Sequence, residues 1–318
     1  MFYIDQSSTE FLLAKQAHYR NLRYVIKKKL KGPKFTDPHP AGLTQRISQV
    51  TGVTSTVAAF FNDETNLKNV LIGTPDILDQ LKNTFKTEKA IKSIKALIRY
   101  DSFIEKDSDK TFRFYNAYNL AENLKQDTCI YCNRLYTHTI ISDNKQLIAR
   151  PTFDHWFTKS KFPLLALSFY NLIPSCSVCN SSIKGVDDYS ITDIFNPYFK
   201  HPTASKELSF KFSYDLENYL TATPKIRTQN TFTKKSVAAM KLTEIYKSHK
   251  EEIRELIYLK KAYSLSYLNS LKSILKTPIS DKEVYRLAFG VYFEDDALNK
   301  RPLSKMKKDI LTELGIVK

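Results

Sequence analysis

The residues best suited to chemistry lie between Cys129 and Gly185. The four cysteines of the chain fall there as Cys129-Ile130-Tyr131-Cys132 and Cys176-Ser177-Val178-Cys179. A two-residue gap lets one tight turn aim two thiolates at a single ion, and two such turns complete the tetrahedron that Zn²⁺ prefers. Four thiolates leave no coordination position open, so the expected zinc is structural. The other readings are four buried free thiols or two disulfides; a disulfide within a Cys-x-x-Cys is usually a redox device, and no secretory context is visible.

Between and just beyond the cysteine pairs stand Asp154-His155, Asn171 and Asn180. These must be positioned by the elements around them. The run Leu147-Ile148-Ala149-Arg150-Pro151 is apolar enough for a strand in a hairpin with Leu135–Ile141. Continued through Phe153-Asp154-His155, that strand would deliver His155 at its tip. The second cysteine pair opens into Asn180-Ser181-Ser182-Ile183-Lys184-Gly185, read as a helix that Gly185 stops. Asn180 and Lys184, at i and i+4, then share a helix face turned toward the strand of His155.

This wording resembles the HNH nucleases and their ββα-metal fold. Its elements are Thr128-Cys-Ile-Tyr-Cys-Asn-Arg134, Asp154-His-Trp-Phe-Thr-Lys-Ser-Lys-Phe-Pro163 and Asn171-Leu-Ile-Pro-Ser-Cys-Ser-Val-Cys-Asn180. Within that superfamily it is similar to bacterial phage-defence HNH nucleases of the Septu type, which are encoded beside an ATPase. The resemblance implies metal-dependent hydrolysis of a phosphodiester bond. His155 would be the general base, its ordinary pKa being close enough to neutrality to take a proton from the attacking water. Asp154 and Asn180 would hold a catalytic divalent ion, and Asn171 would hydrogen-bond across the loop and orient His155. Lys184, with Arg150, Lys159 and Lys161, would meet the phosphates. The sequence departs from the pattern at Asn180, where the motif has its last histidine, and at Thr158, where many relatives carry proline. An amide oxygen is a weaker ligand than imidazole for transition metals, which favours a hard ion such as Mg²⁺ over Zn²⁺ or Ni²⁺ in that position; the expected catalytic ion is Mg²⁺ or Mn²⁺.

Composition points the same way. The 318 residues carry 49 Lys+Arg against 33 Asp+Glu, a formal charge of +16 and a pI of about 9.4. Such a field attracts polyanions, and nucleic acid is the commonest. No apolar run approaches the roughly 18 residues of a membrane span, and the opening Met1-Phe-Tyr-Ile-Asp5 lacks the basic start of a signal peptide. No membrane association and a reducing, cytoplasmic setting are expected, which suits thiolate zinc.

The flanks read as support. Ser7, Ser8 or Thr9 caps a first helix whose apolar residues, Phe11 to Leu30, recur at helical spacing and which ends in Lys27-Lys28-Lys29, Lys31 and Gly32. Those lysines could complement the helix dipole or contact DNA, and His18 and His39 read as surface residues. Helices continue to Ile98, with Lys82, Lys86, Lys89, Lys92 and Lys95 strung along them, and Asp101–Asp109 reads as a hinge. After the site, Asp193–Tyr198 reads as an aromatic loop, Leu208–Ser213 and Tyr219–Thr223 as paired strands, and the rest as helices.

The expected fold class is therefore α+β, mostly helical: a central ββα-metal HNH domain with four-cysteine zinc knuckles between helical regions. The domains run 1–110 (N-terminal helical region), 111–200 (nuclease domain with structural zinc), 201–230 (short β segment) and 231–318 (C-terminal helical region). The expected function is a metal-dependent endonuclease, on DNA ahead of RNA, acting as the effector of an anti-phage system. An ATPase partner would dock on the C-terminal helices from Val237 to Leu314, at residues such as Ile253, Leu256 and Leu259. The alternative is a non-catalytic zinc-ribbon module that binds nucleic acid or protein.

Overall fold

A computed structural model describes residues 1–44, 46–105, 112–218, 221–262, 270, 273–274 and 280–317. Over these the chain is α+β and about half helical, with three two-stranded antiparallel sheets, rather than mostly helical. Helix α1, Thr9–Lys31, begins where the Ser8 hydroxyl accepts from the Phe11 amide and ends at Gly32, whose φ of 56° suits a residue without a side chain. Phe11, Ala14, His18, Leu22, Val25 and Ile26 are buried along it, the spacing of one helix face. Helices α2 (Ser55–Asn62), α3 (Glu64–Ile72), α5 (Glu88–Ile98) and α7 (Ala117–Leu124) pack on α1, and α4 (Pro75–Leu81) packs on α3.

Two expectations for α1 are corrected by its burial. Lys27 and Lys29 are only 1% and 3% exposed, and their ammonium groups donate to the carbonyls of Asn62 and Leu97. They bind the N-terminal helices together and are not presented at the surface. His18 is fully buried rather than superficial: Nε2 lies 2.7 Å from the Leu167 carbonyl and Nδ1 3.1 Å from the Tyr115 hydroxyl. Both contacts run to residues beyond the expected hinge. Asp101 belongs to a short helix, α6 (Tyr100–Ile104), whose Phe103 is wholly buried; residues 106–111, with the expected boundary at 110, lie outside the described residues.

Strand β1 (Ile140–Ile141) pairs with β2 (Leu147–Ala149), and β3 (Thr152–His155) pairs separately with β4 (Leu172–Ser175), Asp154 opposite Ile173 and His155 opposite Leu172. The single strand expected to run on from Leu147 to His155 is divided at Pro151, which has no N–H for a ladder. A wide helical turn, Val178–Lys184, follows β4; the Gly185 amide reaches back to the Asn180 carbonyl at 2.9 Å, a π-type bond. Two antiparallel strands and a helical turn thus follow one another with β3 and the turn in contact.

The aromatic loop after the site packs as expected. Tyr198 meets Phe11, Phe169 and Tyr170, and its hydroxyl donates to the Leu172 carbonyl. Strands β5 (Phe210–Asn218) and β6 (Thr221–Thr228) form a hairpin longer than the sequence indicates. Helices α8 (Thr231–Ala239), α9 (Leu242–Tyr246), α10 (Lys250–Ala262), α11 (Asp281–Phe289) and α12 (Ser304–Glu313) complete the fold. Helix α10 lies on β6 and α12 on β5, burying Ile253, Leu256, Ile310 and Leu311. Ile253 and Leu256, expected to face a partner, are spent on the protein's own core; part of the helical region expected from Val237 to Leu314 lies outside the described residues.

Burial holds the His18 pKa at about 4, against 6.5 in an exposed ring, so the folded state keeps it neutral. Below the unfolded value the unfolded chain takes up a proton that the folded chain refuses. The stabilising contribution is complete above pH 6.5 and is lost as the pH falls toward 4, a change on the order of 3 kcal/mol. Urea midpoints measured across that range should fall with pH, and His18→Gln should flatten the dependence. An equal slope in the variant would assign the effect to other groups.

Candidate active site beside a four-cysteine metal centre

The two cysteine pairs meet. All four residues are buried, and their Sγ atoms lie within 4.8 Å of one another, with Cys132 and Cys176 at 3.9 Å. Sulfurs around a tetrahedral zinc with bonds of about 2.3 Å sit about 3.8 Å apart, so the spacing fits an ion and is too wide for disulfides. Each pair is shaped by its backbone. In the first, the Asn133 amide bonds the Cys129 carbonyl, Asn133 adopts φ 54°, and the Arg134 amide points at Cys132 Sγ. In the second, the Cys179 amide points at Cys176 Sγ. The cluster can hold one metal ion such as zinc.

The first knuckle is also the anchor of the C-terminal region. Asn133 donates to the carbonyls of Leu298 and Arg301 and accepts, through its own carbonyl, the Leu303 amide at 2.6 Å. Tyr246 donates to the Cys132 carbonyl, and Arg134 bonds His249, whose other ring nitrogen meets Glu252.

Next to the cysteine cluster a cavity of about 360 Å³ is lined by Asp154, His155 and Asn180 together, with Tyr100, Arg150 and Lys159 on its walls. His155 closes β3. Its Nε2 donates to the Ala166 carbonyl at 2.9 Å, which leaves the lone pair of the neutral ring on Nδ1. The Tyr100 ring stands edge-on to it at 4.4 Å, and burial lowers the His155 pKa to about 4. The imidazole is therefore unprotonated at neutral pH, but a ring held this low is a weaker base than the near-neutral value expected from the sequence.

Asn171, fully buried, accepts from the Phe157 amide at 2.7 Å and donates to the carbonyls of Phe157 and Leu165. It braces the loop whose next residue, Ala166, holds the His155 ring, so it acts on His155 through the backbone. Asp154 is 1% exposed; Oδ2 accepts from the Tyr131 hydroxyl at 2.6 Å and Oδ1 lies 3.2 Å from Lys184 Nζ. Burial raises the Asp154 pKa, and Lys184 and Tyr131 oppose the rise. Among the described lining residues, one carboxylate, that of Asp154, and the amide of half-buried Asn180 are the oxygen donors best suited to a cation, beside the hydroxyls of Thr152, Thr158 and Ser160. That set suits a hard ion completed by water and phosphate oxygens better than a dedicated protein cage.

The four expected phosphate-binding cations are placed differently. Lys184 is 1% exposed and donates to the His155 carbonyl at 2.8 Å, so it is an internal ion-pair partner rather than a phosphate contact. Arg150 lines the cavity while bonding the carbonyls of Pro151 and Ile104. Lys159 also lines it, paired with Asp101 at 2.8 Å and lying over the Tyr100 ring. Lys161 is exposed beside Asp188 and outside the lining. Tyr100 and Tyr131 escaped the sequence reading. Tyr131 sits inside a cysteine pair, where its hydroxyl could have been expected to reach a neighbouring strand; nothing marks Tyr100.

A protein purified without chelator should contain roughly one zinc per chain, and Cys129→Ser or Cys176→Ser should remove it. Because the first knuckle holds residues 298–303, metal loss should also raise proteolysis of the C-terminal region. Folded, zinc-free protein with an intact C-terminal region would contradict this.

Comparison with protein-family models, with curated proteins and with solved structures gives no match.

Proposed function

We propose that this chain is a metal-dependent endonuclease of HNH type that hydrolyses nucleic-acid phosphodiester bonds, DNA ahead of RNA. The observation that carries the reading is the convergence of Asp154, His155 and Asn180 on one cavity, with the His155 ring tied at Nε2. His155 accepts a proton at Nδ1 from water attacking phosphorus; Ala166 and Tyr100 keep the ring from turning as it does so. Asp154 and Asn180 offer the oxygens for a divalent ion, which when bound neutralises charge on the phosphoryl oxygens. Arg150 and Lys159, on the cavity wall, orient the phosphate. The cysteine centre takes no part in the reaction and holds the strands and turn in register.

A second reading, a zinc-stabilised module that binds nucleic acid without cleaving it, is favoured by one observation. Asp154 already has partners on both oxygens, Tyr131 and Lys184. The readings separate in one assay: purified protein with Mg²⁺ or Mn²⁺, offered plasmid, single-stranded DNA and total RNA. Cleavage is expected, and His155→Ala should reduce it by about 10²–10⁴-fold with zinc content and nucleic-acid binding unchanged. Binding without cleavage of any substrate would establish the module instead.

A further inference from the structure

We propose that Lys184 makes divalent-ion binding at this site conditional on the phosphodiester, so that ion and nucleic acid enter together and the free protein holds the ion weakly. The inference rests on the nuclease reading of the same cavity.

The charges lead to it. Asp154 is the one carboxylate among the described residues lining the cavity. Its charge is already met by the Lys184 ammonium, 3.2 Å from Oδ1, with both side chains almost wholly enclosed. The ammonium has little freedom to leave: it donates to the His155 carbonyl at 2.8 Å, lies 3.4 Å from the Asp187 carbonyl and faces the Tyr189 ring. Arg150 adds a second positive charge on the wall, and the charge of Lys159 is taken by Asp101. The protein's own charge at the site is thus neutral to positive, which repels a dication in a region poorly screened by water. A phosphodiester brings the missing negative charge and further oxygen ligands, which is how hard ions with few protein carboxylates are commonly completed. Lys184 is a positioning residue here: it holds Asp154 and the His155 backbone, and touches neither the water nor phosphorus.

The test measures Mn²⁺ binding directly, by the loss of the free-ion resonance signal, with no turnover. The His155→Ala protein, which keeps Lys184, is titrated with Mn²⁺ alone and then with an oligonucleotide that the wild type cleaves, corrected for ion held by the oligonucleotide itself. Affinity should rise at least about ten-fold with the oligonucleotide and not with its uncharged methylphosphonate counterpart. Lys184→Met should tighten Mn²⁺ binding to the free protein by about ten-fold or more, and Lys184→Arg should leave it weak. Should Lys184→Met fail to fold, the oligonucleotide comparison still decides. Mn²⁺ bound equally well with and without nucleic acid would overturn the proposal while leaving the nuclease reading in place, because the wild type would still cleave. Absence of cleavage by the wild type would instead remove the reading beneath it.

Discussion

Four sulfurs confined within 4.8 Å cannot all be thiolates without a cation among them, and this constraint organises the molecule. One pair lies in a turn after α7 and the other where β4 passes into the helical turn, with the β1–β2 hairpin, β3 and the loop braced by Asn171 between them. An ion at that point converts a long excursion of chain into a closed loop. Residues 298–303 dock on one knuckle, and the other opens directly into the turn bearing Asn180 and Lys184. With an ion bound there, the geometry at His155 would be inherited from a centre that has no chemical part in the proposed reaction.

The sequence showed the parts whose signal is local. The cysteine spacing, a cap among Ser7, Ser8 and Thr9, the Gly185 stop and the grouping of Asp154, His155 and Asn180 each follow from residue type and separation; the structure selects Ser8 as the cap and brings those three residues to one cavity. What escaped was set by distant partners. His18 is polar on a helix with many polar neighbours, and only Leu167 and Tyr115 explain its burial. Pro151 divides what periodicity reads as one strand. Ile253 and Leu256 look like a docking stripe until β6 is placed beneath α10.

Net charge does not say where each cation sits. A formal +16 suggests a surface coated with cations, yet Lys27, Lys29 and Lys184 are buried fastenings that satisfy carbonyls or a carboxylate. Buried lysine needs such partners because an unpaired ammonium in the interior is costly. In α5 the position of each lysine matters more than its number: Lys89, Lys92 and Lys95 are exposed while Ala90, Ile94 and Leu97 pack inward.

The N-terminal segment is held by residues that leave the ribosome much later. The Phe2 amide bonds the Ile130 carbonyl, the Ile4 amide bonds that of Pro197, and the Gln6 amide group donates to Tyr198. The first knuckle in turn waits for Leu298 and Leu303. Vectorial synthesis therefore cannot complete this fold from its beginning: α1 emerges with an apolar face whose final cover, around Phe169 and Tyr198, is still being translated. Part of that face is therefore left uncovered until residues 169–198 have emerged.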